Sequence, residues 1–307
     1  MQKKFAVALH GGAGTRLEEY SEDEFRQYHQ SMARIIRVGQ TMLADGQSAL
    51  DVVEQVVREL EDDPLYNAGV GATYTVEGRH ELDAAIMDGR TKRGAAIACT
   101  TTIKNPVSLA RLVMTETPHV LLIGEGAERF ADSMQDHPRI ERVPNEYFDT
   151  ELARRKWLEF VERQKHEATP AGKKGTVGCV ALDQHGDLAA ATSTGGVYNK
   201  TMGRIGDTPI LGAGTYANND TCAVSCTGAG ELFILNNVSF HISALMAYQQ
   251  LTLSEATERV IHQVLPADSG GLVAIDRFGN VAMSYNTEGL FCAAADSTGW
   301  VETKIRA

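Results

Sequence analysis

Thr176 lies in Gly175-Thr176-Val177-Gly178, between a polar basic stretch and the apolar run Val177-Gly178-Cys179-Val180-Ala181-Leu182-Asp183. A threonine hydroxyl is a weak nucleophile until a base takes its proton. Cutting the chain just before the residue supplies one, because the freed α-amine sits beside the hydroxyl. That amine titrates at about pKa 7.7–8.0, close to neutrality. Gly175 and Thr176 would then be the two sides of a self-cleaved bond. Taken alone, the tetrapeptide also reads as a strand residue after a loop glycine, so its surroundings must decide.

Three further groups of residues have the chemistry to complete such a site. Thr192-Ser193-Thr194-Gly195-Gly196 ends a strand that a tight hairpin would return to Thr176, so that Thr194 could hydrogen-bond the nucleophile. Its bland reading is a hydroxyl-rich strand-end turn. In Arg204-Ile205-Gly206-Asp207 a planar cation and a carboxylate stand three residues apart in a glycine-rich loop. Arginine grips carboxylates with two parallel hydrogen bonds and aspartate can hold an ammonium, a match to an amino-acid head group. The bland reading is a surface ion pair. Cys226-Thr227-Gly228-Ala229-Gly230 closes a strand and opens a helix, and its small residues expose backbone N–H groups as an oxyanion hole requires. It reads equally as a tight strand–helix turn. His10-Gly11-Gly12-Ala13-Gly14 lacks the P-loop ending and the dinucleotide spacing, so Gly11 and Gly12 read as backbone packed close to a site.

The elements needed to position these groups are visible in the pattern. Phe5–Leu9 reads as a buried strand. Ser21 with Glu24 makes a capping box for a helix, and Ser48 starts a second helix that stops before Pro64. Short strands and glycine turns run through 67–89, Gly94–Ile103 reads as a strand, Val107–Thr115 and Glu125–Met134 as helices around a strand at Val120–Ile123, and Thr150–Lys165 as an amphipathic helix. The segment at about 164–175 has no apolar period and reads as a mobile linker. Val177–Leu182 and Leu188–Ser193 form a hairpin about His185-Gly186-Asp187. A second hairpin follows at Leu272–Tyr285, after two long helices at about 230–249 and 254–265. Strands before and after helices point to stacked sheets covered by helices.

Composition narrows the classes. The 307 residues are 43% hydrophobic and carry a net charge of −11, so the chain has a globular core and its acidic surface disfavours nucleic acid. No apolar run approaches the roughly 18 residues of a membrane span. The basic lead of Met1–His10 carries too few apolar residues for a signal peptide. Five cysteines, with no Cys-x-x-Cys pair, read as free thiols in a reducing compartment, hence a cytoplasmic protein.

His10-Gly11-Gly12-Ala13-Gly14, Asn67-Ala68-Gly69, Glu81-Leu82-Asp83-Ala84, Gly175-Thr176-Val177-Gly178, Thr192-Ser193-Thr194-Gly195-Gly196, Gly203-Arg204-Ile205-Gly206-Asp207 and Ser225-Cys226-Thr227-Gly228 occur in this order. The set resembles the isoaspartyl peptidase and plant-type L-asparaginase family of threonine N-terminal nucleophile hydrolases, from about Phe5 to Gly289. The resemblance implies an α+β fold, a four-layer αββα sandwich. It implies one domain over 1–307 that cuts itself into an α subunit, 1–175, and a β subunit, 176–307, which stay together and pair as an (αβ)₂ heterotetramer. It implies Thr176 as nucleophile and, through its α-amine, base. Thr194 would assist it, Arg204 hold the substrate α-carboxylate, Asp207 the α-amine with the Gly230 carbonyl, and Thr227 and Gly228 form the oxyanion hole. Asn67 would be a structural neighbour of the nucleophile. No organic cofactor is implied, but a structural sodium ion is, held by the main-chain carbonyls of Leu60, Glu61, Asp63, Tyr66, Ala68 and Val70. Cys179, Ala229 and Phe291-Cys292-Ala293 depart from many relatives, and the last two could alter substrate preference.

The expected activity is hydrolysis of β-aspartyl dipeptides and L-asparagine through a threonine acyl-enzyme, releasing aspartate. Partners would be those small substrates and the two subunits, with neither nucleic acid nor membrane. A glycosylasparaginase-like amidohydrolase and a non-enzymatic amino-acid binder are the alternatives.

Overall fold

The computed structural model describes residues 4–14, 20–166 and 175–305. Residues 167–174 of the expected linker lie outside the described residues, while Gln164 and Lys165 belong to a helix. In chain order the elements are β1 (Ala6–Ala13), α1 (Glu22–Ala44), α2 (Ala49–Glu61), β2 (Leu82–Asp88), β3 (Gly94–Thr100), α3 (Pro106–Glu116), β4 (Leu121–Ile123), α4 (Gly124–Ser133) and α5 (Glu151–His166). Then come β5 (Val177–Leu182), β6 (Leu188–Thr194), β7 (Thr215–Ala217), β8 (Cys222–Gly228), α6 (Gly230–Leu235), α7 (Val238–Gln249), α8 (Leu253–Arg259), β9 (Gly270–Asp276), β10 (Val281–Tyr285), β11 (Leu290–Asp296) and β12 (Val301–Lys304).

The architecture is α+β, built on two sheets. The larger runs β12-β11-β1-β5-β6-β2-β3-β4 and the smaller β10-β9-β8-β7. Strand alternation sorts side chains into layers, because successive residues face opposite sides. Val7 and Leu9 of β1, with Val177, Cys179 and Ala181 of β5, pack against Ile35, Val53 and Val57 of α1 and α2. Ala6, Ala8, Val180, Leu182 and Ala190 point the other way and meet Ala223, Val273 and Ile275 of the smaller sheet. The far side of that sheet, Cys222, Val224, Cys226 and Leu272, packs on Ile242, Leu245 and Val260 in and after α7 and α8.

Local chemistry accounts for the ends. Ser21 and Glu24 form the expected capping box of α1, and Ser48 caps α2 by accepting from the Asp51 N–H. Asp183 shapes the β5–β6 turn by accepting from the His185 and Asp187 N–H groups at 2.8 and 3.1 Å. Its other oxygen takes the Ala49 N–H at 2.9 Å, tying the hairpin to the start of α2.

The structure differs from the sequence reading in several places. β1 runs on through the glycines to Ala13, with Gly11 as an extra residue where pairing shifts from His10↔Cys292 to Gly12↔Phe291. Residues 67–71 form the expected glycine turns. The helix expected at 230–249 breaks in two at Asn237, which adopts φ 46°, a left-handed conformation asparagine tolerates. The 254–265 helix starts at Leu253, ends as α-helix at Arg259 and continues as a wider turn over Val260–Val264. Phe291, whose region was expected to bear on substrate preference, packs in the core with its ring 4.5 Å from Tyr28.

Candidate active site

Alternation along β1, β5, β6 and β8 puts one class of residue between the sheets at one end. There the apolar side chains give way to His10, Thr176, Thr192, Thr194, Ser225 and Thr227, all buried. Buried hydroxyls must find partners inside the protein, and these find each other.

In the β5–β6 register Val177 lies opposite Ser193, which sets Thr176 across from Thr194. Thr176 Oγ1 donates to Thr194 Oγ1 at 3.1 Å, and the Gly196 N–H donates to the same oxygen at 2.9 Å. Thr194 Oγ1 is therefore an acceptor aimed at the Thr176 hydroxyl proton. Asn67 holds the turn behind it. Its Nδ2 donates to Gly196 O at 2.7 Å, its main-chain oxygen accepts from the Gly195 N–H at 3.0 Å, and its Oδ1 accepts from the Thr73 N–H at 2.8 Å.

The Gly175–Thr176 bond is intact in this chain, so the nitrogen of Thr176 is an amide. It donates to Thr227 Oγ1 at 3.2 Å, and the Ala13 N–H donates to the same oxygen at 3.2 Å. Gly228 follows Thr227 and lines the pocket with Thr176 and Thr194. The two residues expected to form an oxyanion hole thus border Thr176. The glycines of β1 press on the chain just before Thr176. A Cβ on Gly175 would fall 2.4 Å from Gly12 Cα, and one on Gly11 would fall 2.4 Å from the Tyr66 ring. Only backbone fits between β1 and residue 175.

His10 enters from β1. Its Nδ1 donates to the Thr176 carbonyl oxygen at 2.8 Å, and its Nε2 lies 2.8 Å from Ser225 Oγ. Burial drives its pKa down from 6.5 to about 3, against the raising effect of the Thr176 carbonyl, so the ring is neutral at physiological pH. The sequence marked this histidine only as the start of a glycine-rich loop, and Ser225 only as part of a motif.

Arg204, Gly206 and Asp207 line the same pocket as Thr176. Gly230 backs the pair: a Cβ there would meet Asp207 Oδ1 at 2.9 Å and Arg204 Nη2 at 3.0 Å. Asp207 is 4% exposed, its Oδ2 has no hydrogen-bond partner among the described residues, and burial raises its pKa to about 7, with Arg204 pulling the other way. Arg204 Nε donates to Glu231 Oε1 at 2.9 Å, and Nη2 lies at the same distance from that oxygen. Glu231 escaped the sequence reading. It is a carboxylate already seated on the group expected to bind one, and its side chain is 63% exposed, so solvent screening keeps the pair displaceable. The pocket between these groups has a volume of about 10 Å³, room for roughly one water.

Beside Asn67, the 60–70 loop folds tightly. The Val70 N–H donates to Glu61 O at 2.8 Å and the Tyr66 N–H to Asp63 O at 3.2 Å. A Cβ at Gly69 would lie 2.3 Å from Glu61 O, and one at Gly71 would lie 2.6 and 2.8 Å from Pro64 O and Tyr66 O. Peptide oxygens therefore crowd against two glycines here. Carbonyl oxygens are the donor type a hard cation takes.

Comparison with known proteins gives a consistent answer. A family model described as asparaginase matches residues 3–305. The isoaspartyl peptidase of Escherichia coli (strain K12) is 50% identical over 301 residues, covering 94% of this chain and 92% of that one. A probable isoaspartyl peptidase/L-asparaginase 2 of Arabidopsis thaliana is 40% identical over 331 residues, covering 98% of each. The Homo sapiens isoaspartyl peptidase/L-asparaginase is 40% identical over 300 residues, covering 94% and 92%.

Proposed function

Since the chain belongs to the asparaginase family that its residues 3–305 match, we propose that it is an autoprocessed amidohydrolase of β-aspartyl dipeptides and L-asparagine. The observation that carries this reading is the Thr176 hydroxyl, bonded to Thr194 at 3.1 Å in a pocket shared with Arg204 and Asp207. The relatives are named as hydrolases, which sets aside the reading as a non-enzymatic binder.

The first substrate is the chain itself. Thr176 Oγ attacks the carbonyl carbon of Gly175, its proton passing toward Thr194 Oγ1. The C–N bond breaks, nitrogen takes a proton, and an ester remains. Water hydrolyses the ester and leaves Thr176 with a free α-amine.

In turnover the α-amine takes the Thr176 hydroxyl proton as Oγ attacks the side-chain carbonyl of the β-aspartyl unit. Arg204 holds the α-carboxylate in place of Glu231, and Asp207 with the Gly230 carbonyl holds the α-ammonium. Thr227 and Gly228 stabilise the oxyanion. The leaving amine departs with the proton, and water frees aspartate from the acyl-enzyme.

The helices on the outer faces of both sheets support the four-layer αββα sandwich of N-terminal nucleophile hydrolases. We assign residues 1–175 and 176–307 to the two subunits of an (αβ)₂ assembly. The crowded peptide oxygens fit the sodium loop, with the carbonyls of Leu60, Glu61, Asp63, Tyr66, Ala68 and Val70 as holders; the ion would fix the bend that carries Asn67. All five cysteines are free thiols, in keeping with a cytoplasmic protein. Among the described residues no helix is long and apolar enough to cross a membrane.

The reading is tested by hydrolysis of β-Asp-Leu and L-asparagine. Wild type releases aspartate from both. Thr194→Val slows self-cleavage by about a hundredfold, as loss of a proton-handling group does, and Arg204→Leu raises KM in the matured enzyme. A wild-type chain that matures and hydrolyses neither substrate would overturn it.

A further inference from the structure

Glu81-Leu82-Asp83-Ala84 takes no part in the steps above, yet its first residue is 5% exposed and chemically committed. The Glu81 carboxylate accepts the Gly203 N–H, at 3.0 Å to Oε2 and 3.3 Å to Oε1. Its main-chain oxygen accepts from Lys200 Nζ at 2.9 Å, and that ammonium, with no exposed surface, lies 4.0 Å from Glu81 Oε2. One acidic residue therefore ties both ends of the segment 200–203, directly before Arg204. The Arg204 N–H closes the segment on itself by donating to Thr201 O at 3.0 Å, and at its start Lys200 O accepts from the Val76 N–H at 3.0 Å, so Glu81 is the tie at the Gly203 end.

We propose that Glu81 is a positioning residue for substrate recognition: its carboxylate fixes the loop that delivers Arg204 to the substrate α-carboxylate. The inference rests on the reading of Arg204 given above. β2 is the ruler. It begins one residue after Glu81, and its Asp83 stands opposite Thr194 in the β2–β6 register. Asp83 is itself anchored, accepting the Cys99 N–H at 2.8 Å. The group that assists the nucleophile and the loop that carries the carboxylate clamp are thus referenced to one buried strand. A buried carboxylate needs a cation nearby, which explains an internal lysine. Lys200 also lies under the nucleophile's turn: a Cβ on Gly196 would be 3.1 Å from its Nζ. Self-cleavage at Gly175 makes no use of Arg204, so the role of Glu81 separates from maturation.

The test uses the full-length chain with Glu81→Asp and Glu81→Gln. Aspartate keeps the charge beside Lys200 but withdraws the acceptor from Gly203 by one methylene; glutamine keeps the acceptor and removes the charge. Both variants are expected to mature into the same two chains as wild type. With β-Asp-Leu, Glu81→Asp raises KM about tenfold with kcat within about twofold, the pattern of lost binding, and Glu81→Gln stays within about threefold of wild type. An unchanged KM in Glu81→Asp, an equal loss in Glu81→Gln, or failure of either variant to mature overturns the proposal. These outcomes are read against an active wild type; failure of the functional reading is seen in the wild type itself.

Discussion

His10 Nδ1 donates to the carbonyl oxygen of Thr176 at 2.8 Å, across the β1–β5 pair. A carbonyl only accepts, so the proton on Nδ1 is fixed and Nε2 must accept from Ser225 Oγ at 2.8 Å. Ser225 then accepts from Thr192 at 2.7 Å, and Thr192 from Thr215 at 2.7 Å. The direction of every bond in this chain follows from the one peptide oxygen of Thr176. The chain also crosses the space over Gly178, two residues on, where a Cβ would lie 1.9 Å from Ser225 Oγ and 2.6 Å from His10 Nε2.

Gly178→Ala is therefore expected to break the His10–Ser225 bond. The overpacking and the lost buried hydrogen bond together cost about 3 kcal/mol, and the carbonyl of Thr176 is left free to turn. Chemical denaturation of the uncleaved Thr176→Ala chain, with and without Gly178→Ala, measures the first effect. Slower cleavage in an otherwise wild-type Gly178→Ala chain measures the second. A variant as stable and as quickly cleaved as its parent contradicts the packing described.

The same histidine makes stability depend on pH. Its pKa falls from 6.5 to about 3 on folding. Above pH 6.5 the ring is neutral in both states and its contribution is complete. As pH falls below 6.5 the unfolded chain takes a proton that the folded chain refuses, so stability is lost down to about pH 3. Asp207, raised to about 7, acts in the opposite sense, losing stability as pH rises from its unfolded value toward 7. Comparing Thr176→Ala with Thr176→Ala/His10→Gln isolates the histidine. The stability difference between them should shrink by about 2 kcal/mol between pH 7 and pH 5. A difference that does not change with pH contradicts a neutral buried ring.

How much of this was legible in the sequence follows from chain distance. Thr176 meets Thr194 because a hairpin with a short turn joins them, and alternation within it sets their faces. Arg204 and Asp207 share a loop, so their nearness was readable from spacing. His10 and Thr176 are 166 residues apart, and nothing local says that β1 lies beside β5. Glu81 reaches Gly203 across 122 residues for the same reason. β11 and β12 went unread because their sequences, rich in alanine or short, carry little strand signal. The break at Asn237 did have a signal, the pair Asn236-Asn237, but the apolar residues on either side read as one helix. Glu231 was hidden in another way: an exposed acid at a helix start is ordinary, and only its contact with Arg204 gives it meaning.

Asp207 predicts how substrate affinity follows pH. Burial holds its carboxyl near 7 in the free site, and only the ionised form attracts the α-ammonium of a substrate or product. Aspartate binding to the mature enzyme, followed by calorimetry, should weaken as pH falls below about 7, approaching tenfold per unit. Asp207→Asn should bind weakly with little dependence over the same range. Equal affinity for aspartate at pH 5.5 and pH 8 in the wild type contradicts the assignment.

The central claim is that the Gly175–Thr176 bond is the first substrate and that activity waits on its cleavage. Intact-mass and N-terminal analysis of the purified protein tests this directly, beside Thr176→Ala. The account predicts two chains from wild type, the smaller holding the 132 residues from Thr176 to Ala307 with a free threonine at its start. Thr176→Ala should remain one chain of 33.3 kDa and hydrolyse neither β-Asp-Leu nor L-asparagine. A wild-type chain that is active in one piece, or an active Thr176→Ala chain, would contradict it.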